Sequence, residues 1–402
     1  MELLNYYKSL QLLTQSINTL GTQKLFISDT LGRVLAEDII AQSNSPEYPT
    51  ASMDGYAIKY GDQLKHKLQI IGTNPAGHEV ESEVVSGTCI KTFTGSLMPK
   101  GSDTLIPIEN VEVAGDMIKI IKEVPHNFSV REVGENFAKG QLLIKSGTIL
   151  DFAHIGVLAA LNIAQVSVYN RPNIATLATG SEILDLGQTQ TNSAQIRSSN
   201  HLTIAAIATK YGANVRQLGV VGDDRESIST TLKEALAFND IVVTTGGVSV
   251  GDYDFVKDVI REDLGAEVIF KGVSLKPGRH IMVARKENKF IIGLPGFAYS
   301  STVTFLLYVV PVIRAMMGDE SEAYEIVEAK LTEGFNKRSQ FTEFTACNLS
   351  YEEGEYRVDF KDKKIGSSAI LTNMLGNTAL MIVEEEVSGH LDVGSIVKVM
   401  KI

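Results

Sequence analysis

Histidine and cysteine are scarce, and their scarcity removes whole classes of chemistry. The 402 residues include two cysteines, Cys89 and Cys347, far apart and without metal-ligand spacing. Such a pair reads as two reduced thiols of a cytosolic protein rather than a disulfide. The seven histidines are scattered and form no His-Glu-x-x-His pair, which argues against a zinc site. Basic excess is lacking as well: the net charge is -11, whereas a nucleic-acid footprint is usually basic. A phosphorylated substrate stays open, because local cations or Mg²⁺ reverse the field inside one cleft. No GxxxxGK[ST] phosphate loop, nucleophile elbow or Ser–His–Asp order is present. The N-terminus has no basic stretch of the signal-peptide kind. The longest apolar run, Thr302–Ile313, is too short for a bilayer and contains Pro311, so it reads as a buried helix. A cytoplasmic protein without membrane or nucleic-acid partners follows.

What is present is a soluble globular composition, 44% hydrophobic and 21% charged, on a chain long enough for two to four domains. Residues Met1–Leu20 place Leu3, Leu4, Tyr7, Leu10, Leu13 and Ile17 at helical spacing. Residues 1–45 with 131–170 therefore read as a helical and linker domain. Residues 46–130 carry short β-type runs (Leu68–Ile71, Cys89–Phe93, Thr104–Ile108) separated by Gly, Pro and Asn, the texture of an all-β module. From Asn173 strands and helices alternate: Ile174–Ala178, helix His201–Tyr211, Val215–Val221, helix Ser227–Ala237, Ile241–Thr245, helix Tyr253–Leu264, a hairpin, and the buried helix Ser300–Met316. That alternation implies a parallel sheet with helices on both faces over residues 171–319. Residues 320–402 lose the helices and read as a small β-barrel or sandwich.

The richest stretch is Asp240–Asp254. A β-branched run ends in Gly246 and Gly247, continues through Ser249 and Gly251, and closes on Asp252 and Asp254. Glycines let backbone N–H groups approach a ligand, and ligands of open α/β sheets bind where strands open into loops. If the sheet is parallel, four polar loops (Thr179–Glu182, Gly222–Asp224, Gly246–Asp254, Gly293–Gly296) share one edge. Glu182, Asp223 and Asp254 then lie together. Each alone is better read as a helix N-cap; three on one edge point to Mg²⁺ and phosphate, since Mg²⁺ takes oxygen ligands. Lys276 and Arg279, around Pro277-Gly278, read as a grip for phosphate or molybdate against the alternative of a solvated turn. By themselves Met53–Ala57, Thr94-Gly95 and Arg131–Asn136 are ordinary turns.

In order, these motifs resemble one family over essentially the whole chain: the MoeA-type molybdenum insertases, related to the C-terminal domain of gephyrin. Met53-Asp54-Gly55-Tyr56-Ala57 matches a family signature. Thr94-Gly95, Thr179–Glu182, Gly222–Asp224, Gly246–Asp254, Lys276–Gly278, Gly293–Gly296, Gly366–Ser368 and Asp392–Gly394 follow in family order. The resemblance implies an elongated homodimer of four-domain subunits and a cleft completed by the partner, so that Asp54 and Thr94 face the strand-end loops in trans. It implies insertion of molybdate into adenylylated molybdopterin, divalent-cation assistance, AMP release and a pathway adenylyltransferase as partner. Under it, Asp54, Thr94, Asp254 and Lys276 act in catalysis. Gly246, Gly247, Ser249, Gly251, Arg279, Pro295 and Ser367 bind substrate, and Glu182, Asp223 and Asp254 hold the metal. Asn136, His280, Phe297, Ala298 and Ala346 depart from the family pattern, and the family's upstream lysine falls nearest Gly272, with Lys271 one place off. An arginine common in the family's terminal domain falls at Ala346; the resemblance implies that losing it and shifting that lysine removes anion-binding groups from the molybdate subsite. Two alternatives follow: a weakened paralogue kept as a binding or scaffold protein, and an adenylyltransferase on the same α/β module.

Overall fold

The computed structural model describes residues 3–79, 81–248 and 254–402. Contacts divide the chain into two compact units: Met1–Glu37 with Ser146–Ala159 and Ile163–Ile402, and Asp38–Lys145 with Ala160–Asn162.

The first unit is organised by a six-stranded sheet in the order Asn214–Val221, Asn173–Thr179, Ile241–Thr245, Lys289–Leu294, Met282–Lys286, Glu267–Lys271. The first four strands are mutually parallel, as the alternation predicts, and the last two are antiparallel additions. Side chains along each strand alternate between two cores. Ile174, Ile241, Val243 and Ile292 pack on one face with Ile204, Ala208 and the Val303–Met316 segment. Ala175, Val242 and Ile291 pack on the other with Ile228, Leu232, Val259 and Ile260. This makes the module three-layered. Each such apolar side chain taken from water contributes roughly 1.5–3 kcal/mol before entropy is counted.

The helix Ala298–Met316 is longer than the sequence pattern predicts. It is long and apolar enough to cross a bilayer, yet 83% of its most apolar window is buried inside the protein. Pro311 is tolerated because a π-turn, Phe305–Val309, precedes it and places the proline in the first turn of the segment Val310–Met316. The helix expected over Tyr253–Leu264 is shorter: Val256–Asp258 runs into a π-turn, Val259–Asp263, and Tyr253 lies outside the described residues.

The C-terminal strands Ile326–Leu331, Thr342–Glu352, Glu355–Asp359, Thr378–Val383 and Ile396–Lys401 close on themselves. Thr342–Glu352 pairs with both Glu355–Asp359 and Thr378–Val383, and the ring is completed through Ile326–Leu331 and Ile396–Lys401. Closure removes exposed edges, so this is a barrel rather than a sandwich. Both cysteines are free and buried, and burial pushes each thiol up to about 12.

The N-terminal region corrects the sequence reading: it is mostly β. Its α-helices are Tyr6–Gln15 and, from residues 131–170, Phe152–Ala160; the first starts at Asn5, whose side chain accepts the Tyr7 N–H, and stops where the Ser16 hydroxyl donates to the Leu13 carbonyl at 2.6 Å. Beyond it, Thr22–Phe26 pairs antiparallel with Gln165–Tyr169. The helical spacing was real but ten residues long, and distant strand partners captured what followed.

The second unit holds a six-stranded sheet in the order Thr104–Pro107, Gly55–Ile58, Thr88–Thr92, Lys67–Asn74, Met117–Ile120, Val111–Ala114. Tyr56, Ile58, Leu68, Ile106 and Ile118 form its core. Gly55 is needed where it stands, because a Cβ there would lie 2.3 Å from the Ile106 carbonyl oxygen.

Candidate active site

Four parallel strands deliver their carboxyl ends to one sheet edge, and a cavity of about 660 Å³ opens there. Its floor is made by Thr179, Gly180, Thr245, Gly246 and Gly247. Gly246 and Gly247 have φ of +93° and +69°, which turns the chain sharply after the central strand. The space beside them is already filled. A Cβ on Gly246 would sit 2.8 Å from the Thr179 carbonyl oxygen, and one on Gly247 would sit 2.4 Å from Val256. The hydroxyls of Thr179 and Thr245 are buried without a hydrogen-bond partner among the described residues. Buried polar atoms are nearly always paired, so two orphans at the end of a sheet mark a place for a ligand's polar atoms.

Glu182, Asp223 and Asp254 all line this cavity, together with Pro295. Asp223 accepts the Ser181 N–H at 2.8 Å, and the Ser181 hydroxyl accepts the Asp223 N–H at 3.1 Å, which locks two strand-end loops to each other. The helix-capping alternative falls to the neighbour: Asp224 accepts the Ser227 N–H at 2.8 Å and caps Arg225–Phe238. Accepting in that cap lowers the Asp224 pKa, chiefly through the Ser227 backbone N–H. Among the described residues no three His, Cys, Asp or Glu side chains converge closely enough to form a metal cage. The donor set is nonetheless hard oxygen, and Mg²⁺ needs only one or two carboxylates because it keeps several waters. Ser249 and Gly251 lie outside the described residues.

A second cavity of about 390 Å³ adjoins the first and shares His280, Pro295 and Phe297 with it. Lys276, Arg279 and Ser367 line this one. Lys276 is already paired within this cavity: its ammonium meets Glu343, another lining residue, at 3.2 Å, and the Glu343 side chain is 4% exposed. The same carboxylate oxygen accepts the Ser339 N–H at 3.0 Å. Arg279 is exposed and stacks its guanidinium over the Phe341 ring at 5.5 Å. The Ala346 N–H donates to the Tyr299 hydroxyl at 2.7 Å, and that hydroxyl donates to the Phe344 carbonyl at 3.0 Å. Burial pushes the Tyr299 phenol well up, so it stays a neutral donor and acceptor. Ser367 uses its hydroxyl to accept the Ala369 N–H at 3.3 Å.

Asp54 and Thr94 belong to the other compact unit. They form a pair there. One Asp54 oxygen accepts the Thr94 N–H at 2.8 Å and the Thr94 hydroxyl at 2.7 Å. These bonds, the backbone one first, hold the Asp54 carboxyl below its ordinary value.

Sequence reading missed several residues of the cavities. Arg197 is the one arginine on the described lining of the larger cavity, and it donates to the Gln188 carbonyl at 2.8 Å. Asn200 pins the Gly-Leu-Pro-Gly turn by donating to the Gly296 carbonyl at 2.7 Å. Glu343 gave no signal, being a single acid inside a strand. Ser198, also on the lining, meets the buried His201 at 2.7 Å, and His201 meets Asp185 at 3.3 Å. This tie joins the loop ahead of helix Asn200–Lys210 and the helix start to the loop that carries Asp185.

Comparison with known proteins agrees with this layout. Residues 4–162 match the family model for the MoeA N-terminal region (domain I and II), and residues 175–315 match that for a probable molybdopterin binding domain. A molybdopterin molybdenumtransferase of Staphylococcus aureus is 32% identical over 343 residues, spanning 84% of this chain and 81% of that protein. The protein of the same name from Staphylococcus epidermidis is 31% identical, with 79% and 76% covered. A crystal structure of the molybdopterin biosynthesis moeA protein from Pyrococcus horikoshii superposes over 100% of both chains with a TM-score of 0.84 at 29% identity. By sequence, by domain content and by fold, this chain belongs to the MoeA-type molybdenum insertase family.

Proposed function

We propose that this chain is a molybdopterin molybdenumtransferase, which inserts molybdate into adenylylated molybdopterin and releases AMP. The observation that carries the reading is the 660 Å³ cavity, where glycine turns and two orphaned threonine hydroxyls meet three carboxylates on one edge. The hydroxyls of Thr179 and Thr245 suit the phosphate oxygens of the adenylate, beside a Gly246-Gly247 turn whose first N–H is already tied to the Leu294 carbonyl. Arg197 adds positive charge at the rim. Positioning and electrostatics dominate such phosphate chemistry, with donors fixed in advance.

Three carboxylates against one arginine leave the wall acidic, so a phosphate enters most readily with a divalent cation such as Mg²⁺. One or two of Glu182, Asp223 and Asp254 would hold it, with water filling the rest of its shell. When bound, it supplies charge neutralisation to the departing phosphate. Water attacks the pyrophosphate linkage of the adenylate, AMP departs and the other phosphate stays on the pterin; the two dithiolene thiols then ligate the molybdenum, and their protons leave with one molybdate oxygen as water. The adjoining cavity with Lys276, Arg279 and Ser367 is the natural place for molybdate and the pterin end.

Asp54 and Thr94 complete the site from the second subunit of a homodimer in this reading, whose subunits have four domains with boundaries near residues 45, 130, 170 and 319. A pathway adenylyltransferase would deliver the substrate, in the cytoplasm. Incubation with adenylylated molybdopterin, molybdate and Mg²⁺ tests the reading: AMP and active cofactor are expected, and no AMP at high enzyme concentration overturns it. Mixing inactive Asp54→Ala and Asp254→Ala proteins should restore part of the activity if the site is shared. Absence of complementation would remove the trans arrangement.

A second reading, a binding or scaffold protein with weakened turnover, draws on the Lys276–Glu343 pair. A lysine already neutralised by a buried acid offers molybdate less attraction than a free one.

A further inference from the structure

The opposite edge of the parallel sheet, where its strands begin, carries a separate cavity of about 500 Å³. Asn173 and Asn214 open two adjacent strands there, and Asp240 stands just before the central strand. Asn170, Arg171 and Arg33 complete its polar wall. Arg33 donates from one terminal nitrogen to the Tyr169 carbonyl at 2.8 Å. The Arg171 Nε is buried and has no hydrogen-bond partner among the described residues. No carboxylate pairs with either guanidinium among those residues, and burial, followed by the Arg171 charge, pulls Arg33 below the usual guanidinium value. The single acid of the described lining, Asp240, is engaged: it accepts the Asn173 N–H at 2.8 Å.

Two arginines that feel each other's charge, with no acid between them and one buried N–H donor unused, form an incomplete constellation. Guanidinium forks complete themselves on planar or tetrahedral oxyanions through charge-assisted hydrogen bonds. We infer that this cavity is a second binding site, distinct from the strand-end cavities, in which Arg33 and Arg171 hold a tetrahedral dianion of the phosphate class. The anion is either free or the terminal phosphate of a phosphorylated metabolite. Asp240 tempers its affinity by like charge.

Calorimetric titration of the full chain with inorganic phosphate, and separately with AMP, tests this at constant ionic strength. Saturable phosphate binding is expected, weakened at least tenfold in Arg171→Gln and in Arg33→Gln. Asp240→Asn keeps the acceptor for Asn173 while removing the charge, and should tighten phosphate binding about threefold. AMP that competes with phosphate and loses its affinity in Arg171→Gln identifies a phosphorylated metabolite; phosphate binding alone identifies the free anion. If both arginine variants bind phosphate like the parent, the anion sits in the strand-end cavity and the inference fails. Should either arginine variant fold poorly by circular dichroism, unchanged affinity in Asp240→Asn overturns it instead.

Discussion

Glu343 holds its carboxylate inside the wall between module and barrel, with Lys276 and the Ser339 N–H as its partners. Removing one member of such a pair leaves the other polar group uncompensated, which costs more than the pair contributes net. Lys276→Met should therefore destabilise the protein by about 2 kcal/mol. Lys276→Met combined with Glu343→Gln should recover more than half of that loss. Urea unfolding of the two single variants and the double one measures the coupling, and simple additivity would show the contact to be idle. Asp54 offers a second residue-scale test, in its proton affinity. Its carboxyl is held low by Thr94, so the stability it adds is fully present above the ordinary carboxylate value and is lost as pH falls below it. Thr94→Ala removes the hydroxyl donor but keeps the backbone one. The Asp54 midpoint, followed by carboxyl NMR, should rise part of the way towards the ordinary value of about 3.9.

At the scale of single elements, the turns after strands decide whether the cavities exist. Gly278 has φ of +109°, and a Cβ there would stand 2.1 Å from the Thr304 methyl on the buried helix. Neither the backbone nor the helix can yield cheaply. Gly278→Ala should cost roughly 2–4 kcal/mol, combining backbone strain with overpacking. Gly247→Ala meets Val256 at 2.4 Å, at the start of a short helical segment rather than in a buried helix. It should cost less stability, about 1–2 kcal/mol, while abolishing turnover, because the turn it displaces forms the cavity floor. Equal losses of stability in the two variants would show that the Gly247 turn is as rigidly packed as the Gly278 turn.

For the molecule as a whole, the barrel stands or falls as a ring. Ile396–Lys401 pairs with both Ile326–Leu331 and Thr378–Val383, so deleting residues 396–402 opens two ladders at once. Open edges of this kind template further strand pairing. The truncated protein is expected to aggregate on purification, and a soluble monomer with native near-ultraviolet circular dichroism would show that closure is dispensable. The parallel sheet, by contrast, has cores on both faces and separates its two ends: the strand-end cavities lie at one, and the arginine cavity at the other.

Local pattern by itself determined the alternation that makes a parallel sheet, because β-branched runs such as Ile241–Thr245 and amphipathic helices such as Arg225–Phe238 declare themselves within ten or fifteen residues. Parallelism then placed Glu182, Asp223 and Asp254 on one edge without any further information. The ordered turns, from Met53–Ala57 to Asp392–Gly394, were likewise enough to indicate the family. What the chain could not reveal locally were interactions whose partners lie far away along it. The pairing of Lys276 with Glu343, the use of Asp224 rather than Asp223 as a cap, and the exposure of Arg197 to the cavity all depend on which surfaces meet. So do the short N-terminal helix, followed by a strand that pairs with residues 165–169, and the two arginines that share a cavity without a carboxylate paired to either. Hydrophobic period is a property of neighbours in sequence; desolvation and charge compensation are properties of neighbours in space, and only the folded chain sets those.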